Sequence, residues 1–156
     1  DTKVTEAYDR LRMVKLAIAD NPFFEASDIE MKRDGSSYTV DTLMAFKKLY
    51  GSQKRLYLIV GADSLVQIET WKNFDEIFKL ASIIVASRPD TQENYLDNTI
   101  IKLVSQFGAK IFKFSGRAMN YASSYIRKRV EEGLSIKYMV TPAVEAYIRK
   151  NRLYIK

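Results

Sequence analysis

RLYLIV, residues 55–60, is the clearest indication of the fold, and it is followed at once by Gly61 and then by Asp63. Its continuous apolar run is typical of a parallel strand that is covered on both faces. Two further apolar runs, SIIVAS at 82–87 and AKIFKF at 109–114, are separated from it and from each other by helical patterns. We therefore predict an α/β layered fold with a parallel sheet flanked by helices.

The other elements are predicted from apolar periodicity and end signals. FFEASDIEM, residues 23–31, has strand character, with Phe24 pointing inward. Thr39 and Thr141 are the expected caps of two helices, and residues 73–76 have the pattern of a capping box that opens a short helix. Further helices are predicted at residues 5–20, 40–50, 92–107, 124–132 and 142–150.

The chain has 156 residues, 47% hydrophobic and 28% charged, which suits a single domain over residues 1–156. No run of eighteen apolar residues occurs, so no membrane span is expected. Because the chain contains neither cysteine nor histidine, disulfides, thiolate metal sites and Ser-His-Asp or Cys-His catalysis are excluded. The lack of cysteine is compatible with a reducing, cytoplasmic location. Any metal would be a hard ion held by carboxylates or substrate phosphates, which favours magnesium.

The net charge of +6 favours anionic partners such as nucleotides, nucleic acid or acidic surfaces. The basic residues are interleaved with acidic ones along the chain and form no arginine-rich stripe. A nucleic-acid-binding module remains the alternative from another protein class, although the sequence contains no motif of such a module.

Ligands of open parallel sheets bind outside the carboxyl ends of the strands, and three such ends carry polar residues here. At the first, Gly61 lets a ligand approach the backbone, and Asp63 can accept two hydroxyl hydrogen bonds from a ribose. Asp63 could also cap the short helix that follows, and the two roles can coexist. At the second, Arg88 suits a phosphate, and a solvated surface turn is an equal alternative.

The third end is the stretch NYASSYIRKRV, residues 120–130. Ser123 and Ser124 precede a helix whose first turn is predicted to hold Arg127 and the two cations after it. Exposed cations at a helix N-terminus cost about 0.3–1 kcal/mol each, so the arrangement is electrostatically unusual. Free backbone amides, two hydroxyls and clustered cations together predict a phosphate site, with a plain serine cap as the alternative.

A fourth group of residues combines GSSYTVDTL, residues 35–43, with Trp71 and Lys72. Tyr38 and Thr39 lie just before a helix and can present a hydroxyl and backbone amides. Trp71 is the only tryptophan and could stack on a flat ring if it lines the same cleft. A core position is the more common role of a lone tryptophan.

Taken in order, these segments resemble bacterial nicotinate-mononucleotide adenylyltransferase over nearly the whole chain. The resemblance is carried by RLRMVKLAI, GSSYTVDTL, LIVGADSL, the tryptophan eight residues past Asp63, IIVASRP, SSYIR and YMVTPAVEAYIRKNRLY. It implies a Rossmann-like nucleotidyltransferase fold and a single adenylyltransferase domain. The family transfers AMP from ATP to nicotinate mononucleotide, giving deamido-NAD and pyrophosphate in NAD biosynthesis, and Mg²⁺ accompanies the ATP.

The resemblance also implies roles for the candidate residues on the nicotinate side. Tyr38 and Thr39 would border the nicotinate, and Trp71 would stack on its pyridine ring. Backbone amides near Thr39 and Lys72 would hold its carboxylate.

On the nucleotide side, the resemblance places Gly61 and Asp63 at the AMP ribose, with Arg88 lining the same cleft. The residues implied to grip the triphosphate are Ser123, Ser124 and Arg127. Of these, Ser124 and Arg127 are the implied catalytic groups.

Two departures from the family pattern stand out. The family helix motif reads Ile-Ser-Ser-Thr-x-Ile-Arg, whereas YASSYIR here has Ala122 in place of one serine and Ser124 in place of the threonine. The family also opens with a strand, a GGTFDPxHxGH loop and a helix, none of which occurs in this sequence. We expect an N-terminally truncated chain that lacks the first β-α-β segment and has little or no activity alone.

A sister adenylyltransferase acting on nicotinamide mononucleotide or phosphopantetheine is the alternative within the same enzyme class. The combination of SYTVDTL with Trp71 favours nicotinate. The expected partners are ATP and nicotinate mononucleotide. Nucleic acid and membranes are not expected as partners, and a homo-oligomer is left open.

Overall fold

The computed structural model describes residues 5–87, 93–115 and 122–155. Its elements are α1 (Ala7–Ala17), α2 (Thr39–Tyr50), β1 (Leu56–Gly61), α3 (Ala62–Val66), a 3₁₀ helix (Ile68–Thr70), α4 (Phe74–Leu80), β2 (Ala81–Ser87), α5 (Glu93–Phe107), β3 (Ile111–Ser115), α6 (Ser123–Glu131) and α7 (Pro142–Lys150). They form two compact units. The sheet unit is Arg33–Ala118, and the helical unit is Asp1–Lys32 together with Met119–Lys156. That residues 1–156 act as one domain stays a prediction.

The sheet has three parallel strands in the order β1-β2-β3. Leu58 of β1 lies opposite Ile83 of β2, and Ile84 lies opposite Phe112 of β3. The predicted α/β fold with a parallel sheet flanked by helices is thereby confirmed. Since all three strands run in the same direction, their carboxyl ends meet at one edge, where ligands bind in such sheets.

The hydrophobic core of the sheet unit lies on one face of the sheet. Ile83 and Val85 are fully buried there beneath α2 to α5, whereas Ile59 is 71% and Phe114 is 61% exposed on the other face. The expectation that both faces are covered is therefore wrong for the described residues. Crossovers between parallel strands are right-handed, so strands that follow one another in one direction receive their connecting helices on one face.

The predicted strand at residues 23–31 is absent from the structure. The chain turns there instead, and Phe24 is exposed. The Asn21 side-chain oxygen accepts a hydrogen bond from the Phe23 amide at 3.0 Å, and Ser27 Oγ accepts one from the Ile29 amide at 3.3 Å. These short-range bonds favour turns over an extended strand.

The helix ends agree with the sequence only in part. Thr141 caps α7 as predicted, because its Oγ1 accepts a hydrogen bond from the Val144 amide at 3.4 Å. The prediction of a capping box at residues 73–76 is wrong. Asn73 has left-handed backbone angles, φ 48° and ψ 49°, and its side chain makes no cap bond. A capping side chain requires extended backbone angles at that position. Thr39 is the first residue of α2 rather than its cap, and Tyr38 precedes it.

The helical unit has its own small core around Ile136, Val144 and Ile148. Its first and last helices, α1 and α7, are joined by a hydrogen bond of 2.7 Å from the Tyr147 hydroxyl to Asp9 Oδ1. None of the described helices combines the length and the apolar composition needed to cross a membrane.

Candidate active site

The carboxyl end of β1 is open at the positions where a ribose was predicted. β1 passes directly into α3, with Gly61 as the N-cap of that helix. A Cβ atom built on Gly61 would meet no described heavy atom within 4 Å, and φ there is −74°. Neither packing nor backbone conformation therefore requires glycine at this position, which leaves room for a ligand beside the backbone.

Asp63 lies in the first turn of α3 and is exposed. Among the described residues, no hydrogen bond or ion pair engages its carboxylate. The alternative role as a side-chain cap is not observed, because α3 has no side-chain cap bond. The carboxylate is thus available to accept hydrogen bonds from a ligand.

The N-terminus of α2 and the segment after the 3₁₀ helix are joined by three side chains. Lys72 Nζ lies 4.2 Å from the centroid of the Tyr38 ring. The same ammonium is 3.3 Å from Asp41 Oδ2 in the first turn of α2. The structure thus places the predicted nicotinate residues Tyr38, Thr39 and Lys72 in one region.

Trp71 follows the 3₁₀ helix in an extended conformation and immediately precedes Lys72. Its side chain is half-buried and packs against the core of the sheet unit. Its backbone amide donates a hydrogen bond of 2.9 Å to the Ile68 carbonyl, which orders the turn. Stacking of the indole on a pyridine ring stays a prediction.

Sequence reasoning missed Asp41 as a partner of Lys72. The two residues are 31 positions apart, and no spacing rule joins them. An aspartate in the first turn of a helix is also common, since it complements the helix dipole. The sequence therefore carried no signal for this contact.

The phosphate-binding residues predicted on α6 belong to the helical unit. Ser123 and Ser124 are the first two residues of α6, and both are exposed. Ala122 is the N-cap, and no side chain caps the helix. The plain serine cap weighed as an alternative is therefore absent, and both hydroxyls remain accessible.

The prediction that Arg127 lies in the first turn of α6 is wrong. The nine-residue helix begins at Ser123, so Arg127 is its fifth residue, and Lys128 and Arg129 lie in its last turn. Cations near a helix C-terminus are stabilising, so the predicted electrostatic penalty does not arise.

The three cations of α6 differ in their partners. Lys128 forms an ion pair with Glu132 at 3.8 Å, and the Arg129 side chain donates to the Ser135 carbonyl at 2.9 Å. Arg127 is exposed and has no hydrogen-bond or ion-pair partner within the described part of the chain. Of the three cations of α6, Arg127 is therefore the one whose charged group makes no such contact with the described residues. Arg88, the remaining predicted phosphate ligand, lies outside the described residues.

Folding also gathers cations at the opposite edge of the sheet. A cavity of about 320 Å³ near the amino ends of the strands is lined by Lys47, Arg55, Lys79 and Lys110. Lys47 and Lys79 are already bound to backbone carbonyls and to acidic side chains, respectively. This edge is distinct from the carboxyl edge that carries the predicted site. In the described ranges, no group of three or more acidic side chains could hold a metal ion.

Comparison with known proteins places this chain in a defined class of nucleotidyltransferases. A sequence profile of the cytidylyltransferase-like family matches residues 1–129. A probable nicotinate-nucleotide adenylyltransferase of Thermoanaerobacter sp. (strain X514) is 42% identical over 154 residues, which cover 99% of this chain and 73% of that protein. A relative of the same name from Moorella thermoacetica is 41% identical over 154 residues, which cover 99% of this chain and 71% of that protein.

A solved structure has a similar fold. Plasmodium falciparum nicotinic acid mononucleotide adenylyltransferase, complexed with NaAD, matches with a TM-score of 0.72 and 21% identity, over 99% of this chain and 77% of that one. The chain described here belongs to the cytidylyltransferase-like family and, within it, to the nicotinate-nucleotide adenylyltransferases.

Proposed function

We propose that this protein catalyses transfer of AMP from ATP to nicotinate mononucleotide, giving deamido-NAD and pyrophosphate. The observation that carries the proposal is the match over nearly the whole chain to relatives named for this activity. That match also argues against the nucleic-acid-binding alternative. The name of these relatives specifies nicotinate. This favours nicotinate mononucleotide over nicotinamide mononucleotide or phosphopantetheine as the acceptor.

The nicotinate side of the site consists of Tyr38, Thr39, Trp71 and Lys72. Trp71 stacks on the pyridine ring with the exposed part of its indole. The backbone amides near Thr39 and Lys72 donate hydrogen bonds to the nicotinate carboxylate. Support for this assignment comes from the contact of Lys72 with Tyr38 and from the half-buried position of Trp71.

On the nucleotide side, we assign Gly61 and Asp63 to the ribose, and we assign Arg88, which lies outside the described residues, to the same nucleotide. Ser123, Ser124 and Arg127 bind the triphosphate. Asp63 accepts hydrogen bonds from the ribose hydroxyls, a role supported by its unengaged carboxylate. Arg127 is the best suited of the three cations of α6, because the side chains of Lys128 and Arg129 are already engaged.

In the proposed reaction, a phosphate oxygen of nicotinate mononucleotide attacks the α-phosphorus of ATP. The bond from that phosphorus to the bridging oxygen breaks, and pyrophosphate leaves with the electron pair. Such a transfer needs positioning and charge stabilisation more than covalent chemistry. Arg127 and Ser124 act on the charged phosphate oxygens, the first by charge and the second by its hydroxyl. ATP enters with a divalent cation, which we infer to be Mg²⁺ because this ion prefers phosphate oxygens and retains water ligands.

The comparison of Arg127→Ala with Lys128→Ala tests the proposal. The two cations are adjacent and both exposed, but Lys128 is held by Glu132. Loss of a charged hydrogen bond to phosphate is expected to weaken ATP binding about tenfold or more in Arg127→Ala, and Lys128→Ala to change it less than about twofold. Calorimetry with ATP measures both. Equal losses in the two variants would contradict the assignment of Arg127.

The acceptor is tested by the emission of Trp71. Nicotinate mononucleotide is expected to quench this emission at lower concentration than nicotinamide mononucleotide, since the amide cannot accept the same charged hydrogen bonds. The chain contains no other tryptophan, so the signal is unambiguous. Equal quenching by both nucleotides would contradict an acid-specific site.

A further inference from the structure

The contact between Lys72 and Asp41 joins two parts of the candidate nicotinate site. Lys72 Nζ lies 3.3 Å from Asp41 Oδ2 and 4.2 Å from the centre of the Tyr38 ring. The ammonium therefore has a carboxylate and an aromatic face as simultaneous partners, both at the N-terminus of α2. These contacts connect the first turn of α2 with the segment that carries Trp71.

Within its own neighbourhood, that segment is held by the packing of Trp71 against the core of the sheet unit and by the bond of the Trp71 amide to the Ile68 carbonyl. Only Trp71, Lys72 and Asn73 separate the 3₁₀ helix from α4. Trp71 is extended, and Asn73 is left-handed and makes no side-chain cap bond to α4. Connecting segments at the surface are more mobile than the elements they join, so a further side-chain contact at Lys72 restricts this one. Within the described residues, Lys72 supplies the hydrogen-bonded and ionic side-chain contacts between this segment and α2.

We propose that Asp41 is a positioning residue for nicotinate recognition. It holds the Lys72 ammonium against Tyr38 and thereby fixes the Trp71–Lys72 segment relative to the N-terminus of α2. This inference rests on the proposed function. Asp41 itself need not touch the substrate, and its effect on binding passes through Lys72.

A purely electrostatic role and a positioning role for Asp41 predict opposite changes in the affinity for nicotinate mononucleotide when Asp41 is replaced. Asp41→Asn removes a negative charge next to the anionic acceptor and leaves Lys72 uncompensated, so Coulomb attraction alone would tighten binding. Loss of positioning would weaken it, because the segment would have to be ordered when the ligand binds. The sign of the change in affinity therefore separates the two roles.

The test compares Asp41→Asn, Asp41→Glu and the control Asp97→Asn. Asp97 forms an ion pair of the same kind with Lys113 at 2.9 Å, joining α5 and β3. Calorimetry is expected to show nicotinate mononucleotide binding about three- to tenfold weaker in Asp41→Asn. We expect partial recovery in Asp41→Glu, and no change in Asp97→Asn. Unchanged or tighter binding in Asp41→Asn, or loss of the same size in Asp97→Asn, would overturn the inference.

A second measurement needs no ligand and separates this inference from the proposed function. Acrylamide quenching of Trp71 is expected to increase in Asp41→Asn and not in Asp97→Asn, since only the first removes a contact that holds the Trp71–Lys72 segment to α2. If the unmodified protein fails to bind nicotinate mononucleotide, the proposed function fails, and the quenching still reports on the positioning contact. Equal quenching in all variants, with folding confirmed by circular dichroism, would overturn the positioning role.

Discussion

At the scale of single residues, Gly61 gives the sharpest test of the nucleotide site. Its backbone angle is ordinary for any residue, and the space beside it is empty of described atoms. Gly61→Ala is therefore expected to change the free energy of unfolding by less than about 0.5 kcal/mol. The added methyl would occupy the proposed ribose position, and ATP binding is expected to weaken about tenfold.

Gly51→Ala is the matched control. Gly51 has φ 100°, and a Cβ there would lie 2.8 Å from the Gln53 side chain. This variant is expected to lose about 1–3 kcal/mol of stability and to retain its affinity for ATP. Urea unfolding and calorimetry measure the two quantities. The role of Gly61 is contradicted if its variant loses stability as Gly51→Ala does, or binds ATP normally.

Tyr147 is the residue at which a pH dependence is expected. Its hydrogen bond to Asp9 raises the pKa of the Tyr147 hydroxyl, and burial adds to the effect. Because the pKa in the folded state exceeds the unfolded value of about 10, the stabilisation is complete below about pH 10. It is lost as pH rises through the folded pKa.

Tyr147→Phe is therefore expected to be less stable than the unmodified protein near neutral pH and to lose less further stability above about pH 10. Urea unfolding between pH 7 and about pH 11 measures this difference. The exposed Tyr138 provides the control for loss of a tyrosine hydroxyl, since Tyr138→Phe is expected to change the free energy of unfolding at pH 7 by less than about 0.5 kcal/mol. Parallel profiles for the unmodified protein and Tyr147→Phe would contradict the expectation.

At the scale of elements, the two faces of the sheet differ in burial and are therefore expected to contribute differently to stability. Ile83 of β2 is fully buried beneath the helices, whereas Ile59 of β1 is 71% exposed on the opposite face. Ile83→Ala is expected to lower the free energy of unfolding by about 2–5 kcal/mol, because it removes core contacts and leaves a cavity. Ile59→Ala is expected to change it by less than about 0.5 kcal/mol. Urea unfolding that shows comparable losses would mean that both faces are covered in solution.

At the scale of the whole molecule, product binding should be measurable as stability. A ligand that binds only the folded state stabilises it by mass action. Deamido-NAD at a concentration of 100 times its Kd is expected to raise the free energy of unfolding by about 2.7 kcal/mol. NAD at the same concentration should stabilise less, because it carries the amide in place of the carboxylate. Thermal unfolding with each ligand measures the difference, and equal stabilisation would argue against recognition of the acid.

Several parts of this fold were predictable because the signals that determine them are local. Apolar runs mark the three parallel strands, and α7 begins where Thr141 and Pro142 place it. Gly51, at a φ of 100°, follows the last residue of α2. The family was also predictable, since the motifs around Tyr38, Asp63 and Ser124 stand in a specific order along the chain.

Local signals along the chain are sufficient to predict the three parallel strands, most of the helices and the family. Two features are visible only in the folded chain: helices cover one face of the sheet in the described residues, and Lys72 contacts Asp41 and Tyr38. The difference comes from the separation along the chain over which each interaction acts. Periodicity and capping act within a few neighbouring residues, whereas crossover direction, strand pairing and ion pairs 31 positions apart exist only when distant segments meet.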